Sequence, residues 1–383
     1  MRIDKINIYC LNLPFNAEFS HALAKRIVAK NILVEIITYQ GRVNGYGEGA
    51  PRYYVTRESQ EASVENVADI INSYSFPWTF NSINEIWKFI DVLPEDKTYN
   101  AAICALEMAL LDTYGLVNKR PLIYFLPDDF LTDTIFYGAA IPLASRIRIM
   151  EMCRLIKGYG IDKLRIKVGK NLEENIERIK IIKEQIGDNC DIRLDANGIW
   201  DYELALKHLP IIKKAGVKVL EQPMSPEDPD ILKLSKKLKE NNVILMADEL
   251  ACSIKDVQDI IEQGCYGMIN IRLSKCGGFR RSLKIIDILR ANNIAFQIGC
   301  QLGESGILSA AGRALGLVSK DAVYYDGSYD NYLLKENIIK KNVGFEIGGC
   351  AGPLPGSGLG VEIDKDKLEK LCGSDRIKII NPN

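Results

Sequence analysis

Five charged residues recur at nearly constant intervals along the chain, and each ends or closely follows a short apolar run. In chain order they are Lys167, Asp195, Glu221, Asp248 and Lys275, and 26 to 28 residues separate each from the next. A strand often ends in a charged residue only because it emerges into solvent. Five such residues in phase, with three acids bracketed by two lysines, favour one functional set over five solvated strand ends.

The residue types in this set suit metal-assisted proton transfer. Three carboxylates from consecutive strands supply the hard oxygen ligands that Mg²⁺ prefers, and Mn²⁺ accepts similar ligands. A lysine beside a cation or in a dry pocket has a lowered pKa, so Lys167 and Lys275 could serve as bases. The set therefore predicts removal of a proton next to a substrate carboxylate, with Asp195, Glu221 and Asp248 as metal ligands.

The segments that must position these residues alternate between short apolar runs and amphipathic helical stretches from about residue 135 onward. The predicted strands are 135–141, 163–168, 191–195, 217–221, 243–248, 268–273, 294–298 and 322–325. Eight such units fit a (β/α) barrel, although an open sheet of eight strands has the same pattern. In a barrel the carboxyl ends of the strands meet on one face, so the five residues would surround one centre.

The rest of the chain predicts a second, α+β unit. Residues 3–11 and 30–38 are predicted strands, 45–49 a Gly-rich turn, and 58–73 and 99–117 helices. The tail is rich in Gly and Pro at 352–358 and then resumes a helical and strand-like pattern. We therefore expect an N-terminal α+β domain at 1–125, a catalytic barrel at 126–342, and a C-terminal segment at 343–383 that packs back on the N-terminal domain.

The overall composition argues against several classes of function. With 49 Lys and Arg against 50 Asp and Glu, there is no basic excess for nucleic acid or a membrane surface. No apolar run predicts a membrane span and the N-terminal residues are charged, so we expect a cytoplasmic protein with a small-molecule partner. The ten cysteines form no CxxC pair, and two histidines are too few for a histidine-rich zinc site.

The sequence around the five residues resembles the enolase superfamily, and specifically its muconate lactonizing enzyme subgroup. The matching motifs are Arg165-Ile166-Lys167, Asp195-Ala196-Asn197, Glu221-Gln222-Pro223, Asp248-Glu249 and Lys275-Cys276-Gly277-Gly278. Residues 105–112 and 358–361 are similar to the helix before the barrel and to the C-terminal turn of that subgroup. The resemblance implies an α/β fold, a modified TIM barrel of (β/α)7β form with an N-terminal α+β capping domain.

The same resemblance implies roles for individual residues. Asp195, Glu221 and Asp248 would bind Mg²⁺, while Lys167 and Lys275 would be the acid and base on opposite faces of an enolate. Asn197 and Glu249 would contact the substrate or orient the metal ligands. Members of the subgroup are commonly oligomeric, so a homo-oligomer is also expected.

Two positions depart from the pattern of the subgroup. The first lysine of its KxK motif is Arg165 here, which keeps the positive charge near the substrate carboxylate and adds a bidentate fork. Dipeptide epimerases carry a DxD that holds the substrate ammonium, whereas this chain has Ser328-Tyr329-Asp330 with a single acid. Loops of the capping domain and the loop after the seventh barrel strand should add substrate contacts. The residues expected there are His21, Tyr54, Gln301 and Glu304.

The sequence thus predicts a Mg²⁺-dependent isomerase that abstracts the α-proton of a carboxylate substrate. A racemase or epimerase of an N-substituted amino acid or dipeptide is the leading prediction, because two lysines can remove a proton and return it on opposite faces. A muconate-type cycloisomerase and o-succinylbenzoate synthase, which is a dehydratase, are the enzymatic alternatives. A metal-binding barrel without turnover is the non-enzymatic alternative, and the two lysines argue against it.

Overall fold

The first two apolar segments form a long antiparallel pair in the computed structural model, which describes residues 1–21, 24–38, 43–225, 227–372 and 377–382. Strand β1 (Ile3–His21) pairs with β2 (Ala24–Thr38), and β2 pairs with β3 (Asn44–Gly49). Side chains of β1 such as Ile6 and Ile8 alternate inward and are buried completely. This face of the sheet is the core of the N-terminal part.

Residues 45–49, which the sequence predicts as a turn, instead belong to β3, so that prediction is wrong. A side chain at Gly47 would collide with the main-chain oxygen of Ala105, and one at Gly49 would collide with that of Ala101. The glycines therefore allow a helix to pack closely on the strand. They are needed for this close approach and not for a turn.

Within the described residues, four α-helices follow β3 and precede the barrel along the chain. They are α1 (Tyr53–Thr56), α2 (Gln60–Ser73), α3 (Ile83–Asp91) and α4 (Asn100–Asn118). Within the described residues one helical stretch, Lys97–Asn118, is long and apolar enough to cross a membrane by length and composition. Because 83% of its most apolar window is buried inside the protein, we interpret it as a core helix.

The predicted strand 135–141 divides in two. Its first part, β4 (Ile135–Phe136), pairs antiparallel with Cys350–Ala351 near the C-terminus. Its second part, β5 (Ala139–Ile141), is the first strand of the barrel and pairs in parallel with Lys163–Lys167.

Eight parallel strands in chain order form the second sheet, which confirms the predicted barrel. After β5 they are β6 (Lys163–Lys167), β7 (Asp191–Asp195), β8 (Val219–Glu221), β9 (Ile244–Ala247), β10 (Met268–Ile271), β11 (Ala295–Ile298) and β12 (Tyr324–Tyr325). Just before β5, Tyr137 forms a parallel bridge with Tyr325 of β12, and Gly138 N donates to Tyr325 O at 2.8 Å. These contacts bring the two edges of the sheet together.

The helices of the barrel follow their strands along the chain. They are α5 (Arg146–Gly158), α6 (Leu172–Ile186), α7 (Tyr202–Ala215), α8 (Ile231–Lys239), α9 (Ile254–Gln263), α10 (Leu273–Cys276), α11 (Phe279–Ala291), α12 (Gly306–Leu317) and α13 (Asp330–Leu333). Several begin at a side-chain cap, as where Asp201 accepts from Leu204 N at 2.7 Å. Such caps set where each strand–helix loop ends.

The tail returns to the N-terminal sheet. It contains β13 (Cys350–Ala351), α14 (Lys365–Cys372) and β14 (Ile377–Ile380). Strand β14 pairs antiparallel with β1, with Ile380 opposite Ile6. Two buried carboxylates of α4 also join the N-terminal part to the rest of the chain. Glu107 accepts from Arg280 N at 2.8 Å, at the start of α11 in the barrel. Asp112 accepts from Leu359 N at 2.7 Å, in the C-terminal segment.

Candidate active site

The three acids and two lysines predicted from spacing lie along the carboxyl ends of neighbouring barrel strands. Lys167, Asp195 and Glu221 are the last residues of β6, β7 and β8, and they are lateral partners in the sheet register. Asp248 directly follows β9, and Lys275 lies on α10 just after β10. Because parallel strands present these ends on one face, the five residues share one end of the barrel.

Lys167 is an amine at the edge of this group. Its Nζ donates to Asn197 Oδ1 at 2.9 Å and lies 3.8 Å from Asp195 Oδ2. The side chain keeps 15% of its surface exposed, whereas Asp195 beside it is 1% exposed. Burial of most of the side chain lowers the pKa of Lys167, which favours the neutral amine that a base requires.

Lys275 occupies the other end of the row of acids and is buried completely. Its Nζ donates to Asp248 O and Asn270 O at 2.6 Å each, and it lies 3.2 Å from Asp248 Oδ1. Burial lowers the pKa of this group too. The two main-chain oxygens hold the amine beside Asp248.

The three carboxylates between the lysines are buried and crowded. Asp195 is 1% exposed, and Glu221 and Asp248 are not exposed at all. Burial raises the pKa of Glu221, and the negative charge of Asp195 raises it further. Glu221 Oε2 has no hydrogen-bond partner, so a buried carboxylate oxygen remains that a cation would stabilise.

Two arginines supply positive charge among these acids. Arg165 Nη1 lies 3.4 Å from Glu221 Oε1 and 3.8 Å from Asp195 Oδ2, and Arg272 contacts Asp248. Within residues 1–21, 24–38, 43–225, 227–372 and 377–382, no three His, Cys, Asp or Glu side chains are arranged to hold a metal ion together. The donor set nevertheless fits Mg²⁺ chemically, since it offers three buried carboxylates and one unpaired oxygen.

Asp326 is an acid of this site that the sequence reasoning missed. Its oxygens form a bidentate pair with Arg193, at 2.9 Å and 3.2 Å, and Arg165 Nε lies 3.2 Å from Oδ2. Although burial opposes it, the charges of Arg193 and Arg165 hold the pKa of Asp326 below its ordinary value. Its position in the sequence could have indicated this role. Asp326 directly follows β12, and the other acids of the site likewise end their strands or directly follow them.

Four residues predicted as supporting contacts do lie beside this group. Asn197 N donates to Asp195 Oδ1 at 3.0 Å, and Asn197 Nδ2 donates to Glu249 Oε1 at 3.4 Å. Burial raises the pKa of Glu249 to about 7, with the charges of Asp195 and Glu221 adding to the effect. Gln301 accepts from Arg272 Nη1 at 2.9 Å, and its N–H donates to Glu304 at 2.6 Å.

The other predicted contacts are placed differently. Asp330 accepts from Ser309 Oγ at 2.7 Å and from Asn337 Nδ2 at 2.6 Å, and these partners are outside the acidic group. Tyr54 is half-buried on α1, and the oxygen of the next residue, Val55, lies 3.9 Å from Cys252 Sγ in the loop after β9. The side chain of His21 lies outside the described part of the chain, so its role stays a prediction.

Comparison with known proteins shows the family. Residues 148–367 match the model for "Enolase C-terminal domain-like" proteins. The hydrophobic dipeptide epimerase of Enterococcus faecalis is 30% identical over 331 residues, which are 85% of this chain and 90% of that protein. The N-succinyl-L-Arg/Lys racemase of Bacillus cereus is 24% identical over 380 residues, 97% of this chain and 98% of that protein.

A solved structure supports the same relationship over the full length. The crystal structure of the dipeptide epimerase from Cytophaga hutchinsonii, complexed with Mg and the dipeptide D-Ala-L-Val, is similar with a TM-score of 0.83 and 25% identity. The similarity covers 100% of both chains. The motifs at five successive barrel strands, the barrel itself and these relatives agree, and the chain therefore belongs to the enolase superfamily, in the muconate lactonizing enzyme subgroup of isomerases.

Proposed function

We propose that this protein is a racemase or epimerase that inverts the α-carbon of an N-substituted amino acid or a dipeptide. The observation that carries the proposal is the placement of two lysine amines, Lys167 and Lys275, at the two ends of one row of buried carboxylates. One amine can remove the α-proton while the other returns a proton to the opposite face. The names of the relatives, two of them dipeptide epimerases and one an N-succinyl amino acid racemase, support this reaction.

Each protein group has a definite task in this mechanism. Asn197 holds the Lys167 amine at 2.9 Å, and the oxygens of Asp248 and Asn270 hold the Lys275 amine at 2.6 Å. Burial keeps both amines easier to deprotonate than an exposed lysine, so each can alternate between acid and base.

Asp195, Glu221 and Asp248 are the residues that would hold Mg²⁺, and Mn²⁺ is an alternative ion for the same oxygens. The bound ion supplies positive charge to the substrate carboxylate, which makes the α-proton more acidic. Arg165 and Arg272 neutralise part of the negative charge of the three acids. We propose that Arg165 then turns its fork towards the substrate carboxylate, which is a bidentate partner for a guanidinium.

The ion pairs of Asp326 help to choose between substrates with a free and with an acylated amino group. Both oxygens of Asp326 are bonded to Arg193, and one also faces Arg165. A free ammonium group of a dipeptide would have to compete with two guanidinium groups for this carboxylate. We therefore rank N-acylated amino acids above dipeptides with a free amino group.

The test is α-proton exchange in D₂O with Mg²⁺ present. Purified protein would be incubated with a panel of N-succinyl amino acids and hydrophobic dipeptides, and NMR would follow loss of the α-proton signal and growth of the other stereoisomer. Exchange with inversion supports the proposal. The absence of exchange with every carboxylate in the panel would contradict it, while lactone closure or loss of water would identify a cycloisomerase or dehydratase instead.

We also propose the wider setting of the enzyme. The domain boundaries would be 1–125 for the cap, 126–342 for the barrel and 343–383 for the returning segment, and limited proteolysis tests them. The partner would be a small carboxylate in the cytoplasm, with no nucleic acid and no membrane. A homo-oligomer is the expected assembly, which light scattering would measure.

A further inference from the structure

The main chain just beyond Lys167 is held by two side chains from different parts of the barrel. Gly169 N donates to Asn175 Oδ1 at 2.9 Å, and Asn175 Nδ2 donates back to Gly169 O at 2.8 Å. Trp200 Nε1 donates to the same Gly169 oxygen at 2.8 Å. Both main-chain polar groups of Gly169 are therefore occupied, two residues after the proposed base.

His208 fixes the orientation of this arrangement. His208 Nδ1 lies 2.8 Å from Leu204 O, which can only accept, so Nδ1 carries the proton and Nε2 accepts from Asn175 Nδ2 at 2.9 Å. The imidazole also stacks on Trp200, with ring centroids 4.0 Å apart and planes 18° apart. We call Asn175, Trp200 and His208 the Gly169 clamp.

The amide of Asn175 has no freedom left to turn. Its two N–H groups donate to Gly169 O and His208 Nε2, and its oxygen accepts from Gly169 N and from Arg178 Nη1 at 2.9 Å. Asn175 and His208 are completely buried and Trp200 is 4% exposed. A saturated buried network of this kind specifies a single geometry, because a rotated amide would leave buried groups without partners.

The clamp links the two loops on which the Lys167 amine depends. Val168 N, between Lys167 and Gly169, donates to Asp195 O at 2.9 Å. Trp200 lies three residues after Asn197, whose Oδ1 accepts from Lys167 Nζ at 2.9 Å. The end of β6, which carries the Lys167 amine, and the loop that carries its acceptor Asn197 are therefore both held by the hydrogen bonds at Gly169.

We propose that the Gly169 clamp is a positioning device for Lys167, and that it governs proton transfer on one face of the substrate only. The inference rests on the proposed function of Lys167 as one of two bases. Lys275 is held by Asp248 and Asn270, which are not part of the clamp. Displacing a base by about 1 Å can cost about 10²-fold in rate, so loosening the clamp should slow the epimer whose α-proton faces Lys167.

The experiment measures α-proton exchange in D₂O separately for the two epimers of one substrate. The variants are Asn175→Leu, which removes the amide, and His208→Phe, which keeps a ring on Trp200 but removes the acceptor for Asn175. We expect the exchange rate from one epimer to fall about 10- to 100-fold and that from the other to change less than about threefold. If Asn175→Leu does not fold, His208→Phe alone tests the proposal.

A matched control is Ser235→Ala, which removes a different buried hydrogen bond, to Cys265 O, on α8. It should affect both epimers equally. Equal losses for both epimers in the clamp variants, or no loss in either, would overturn the inference while leaving the two-base reaction intact. Wild-type protein that exchanges neither epimer would instead overturn the proposed function, and the clamp inference with it.

Discussion

The Lys275 amine and the Asp248 residue make two contacts at once: Nζ lies 2.6 Å from the main-chain oxygen and 3.2 Å from Oδ1. One residue therefore holds the proposed base through its backbone and is a proposed metal ligand through its side chain. This pairing places the acid/base group beside the charge that would activate the substrate.

Replacing Lys275 with alanine should lower turnover by about 10²- to 10⁴-fold, which is the usual contribution of a general acid or base. Mg²⁺ binding and thermal stability should persist, because Asp248 keeps Arg272 as a partner. Steady-state rates and melting curves check both statements. Lys284→Ala, at a half-buried lysine that contacts Asp91, is the control. Unchanged turnover in Lys275→Ala would contradict the assigned role.

Replacing Glu221 with glutamine should abolish Mg²⁺-dependent stabilisation. A ligand present at about one hundred times its Kd stabilises the folded state by about 2.7 kcal/mol, and loss of the central carboxylate removes the charge that attracts the ion. Urea unfolding with and without Mg²⁺ measures this difference. Glu362→Gln is the surface control, and an unchanged response to Mg²⁺ in Glu221→Gln would show that this residue is no ligand.

Replacing Asp326 with asparagine should destabilise the fold by about 3–5 kcal/mol, since it leaves the buried Arg193 without its anionic partner. The comparable change Asp321→Asn affects a more exposed pair with Arg290 and should cost less than about 1 kcal/mol. The two free energies of unfolding, measured in urea, should differ clearly. Equal values for the two variants would mean that the Arg193 pair does not stabilise the barrel.

The stability of the protein should depend on His208 below neutral pH. Burial lowers the pKa of His208, against the opposing effects of Leu204 O and the charge of Glu173. The unfolded chain then binds a proton near pH 6.5 that the folded chain does not, so the free energy of unfolding falls as the pH drops below about 6.5. Urea titrations between about pH 5 and pH 7.5 should show a smaller fall in His208→Phe, and identical profiles would contradict the prediction.

Several features of the fold and site could be predicted from the sequence because they depend on local periodicity. One βα unit has a nearly constant length, so charged residues 26 to 28 positions apart predict successive strand ends. The positions of Lys167, Asp195 and Glu221 at the ends of their strands follow from this spacing. The eight strands themselves follow from the alternation of apolar runs with amphipathic stretches. The glycines of β3 were misassigned because the helix that approaches them is more than fifty residues away in sequence.

The role of Asp326 could not be predicted from local sequence patterns. Strand β12 has only two residues, so its end is a weak signal, and the identity of Asp326 as the partner of Arg193 depends on strands 133 residues apart. The roles of Arg272 and of the Gly169 clamp are equally non-local. Each of these roles depends on which side chains are in contact across the barrel, and spacing along the chain does not specify such contacts.

The sequence by itself determined that this protein has three acids and two lysines at regular intervals, at or just after the ends of consecutive strands, and hence its family and its class of chemistry. Only the tertiary structure decided which groups neutralise those acids and what holds each amine in place. The physical reason is that strand periodicity is a short-range property of the chain, whereas hydrogen bonds and ion pairs in a closed barrel join residues that folding alone brings together.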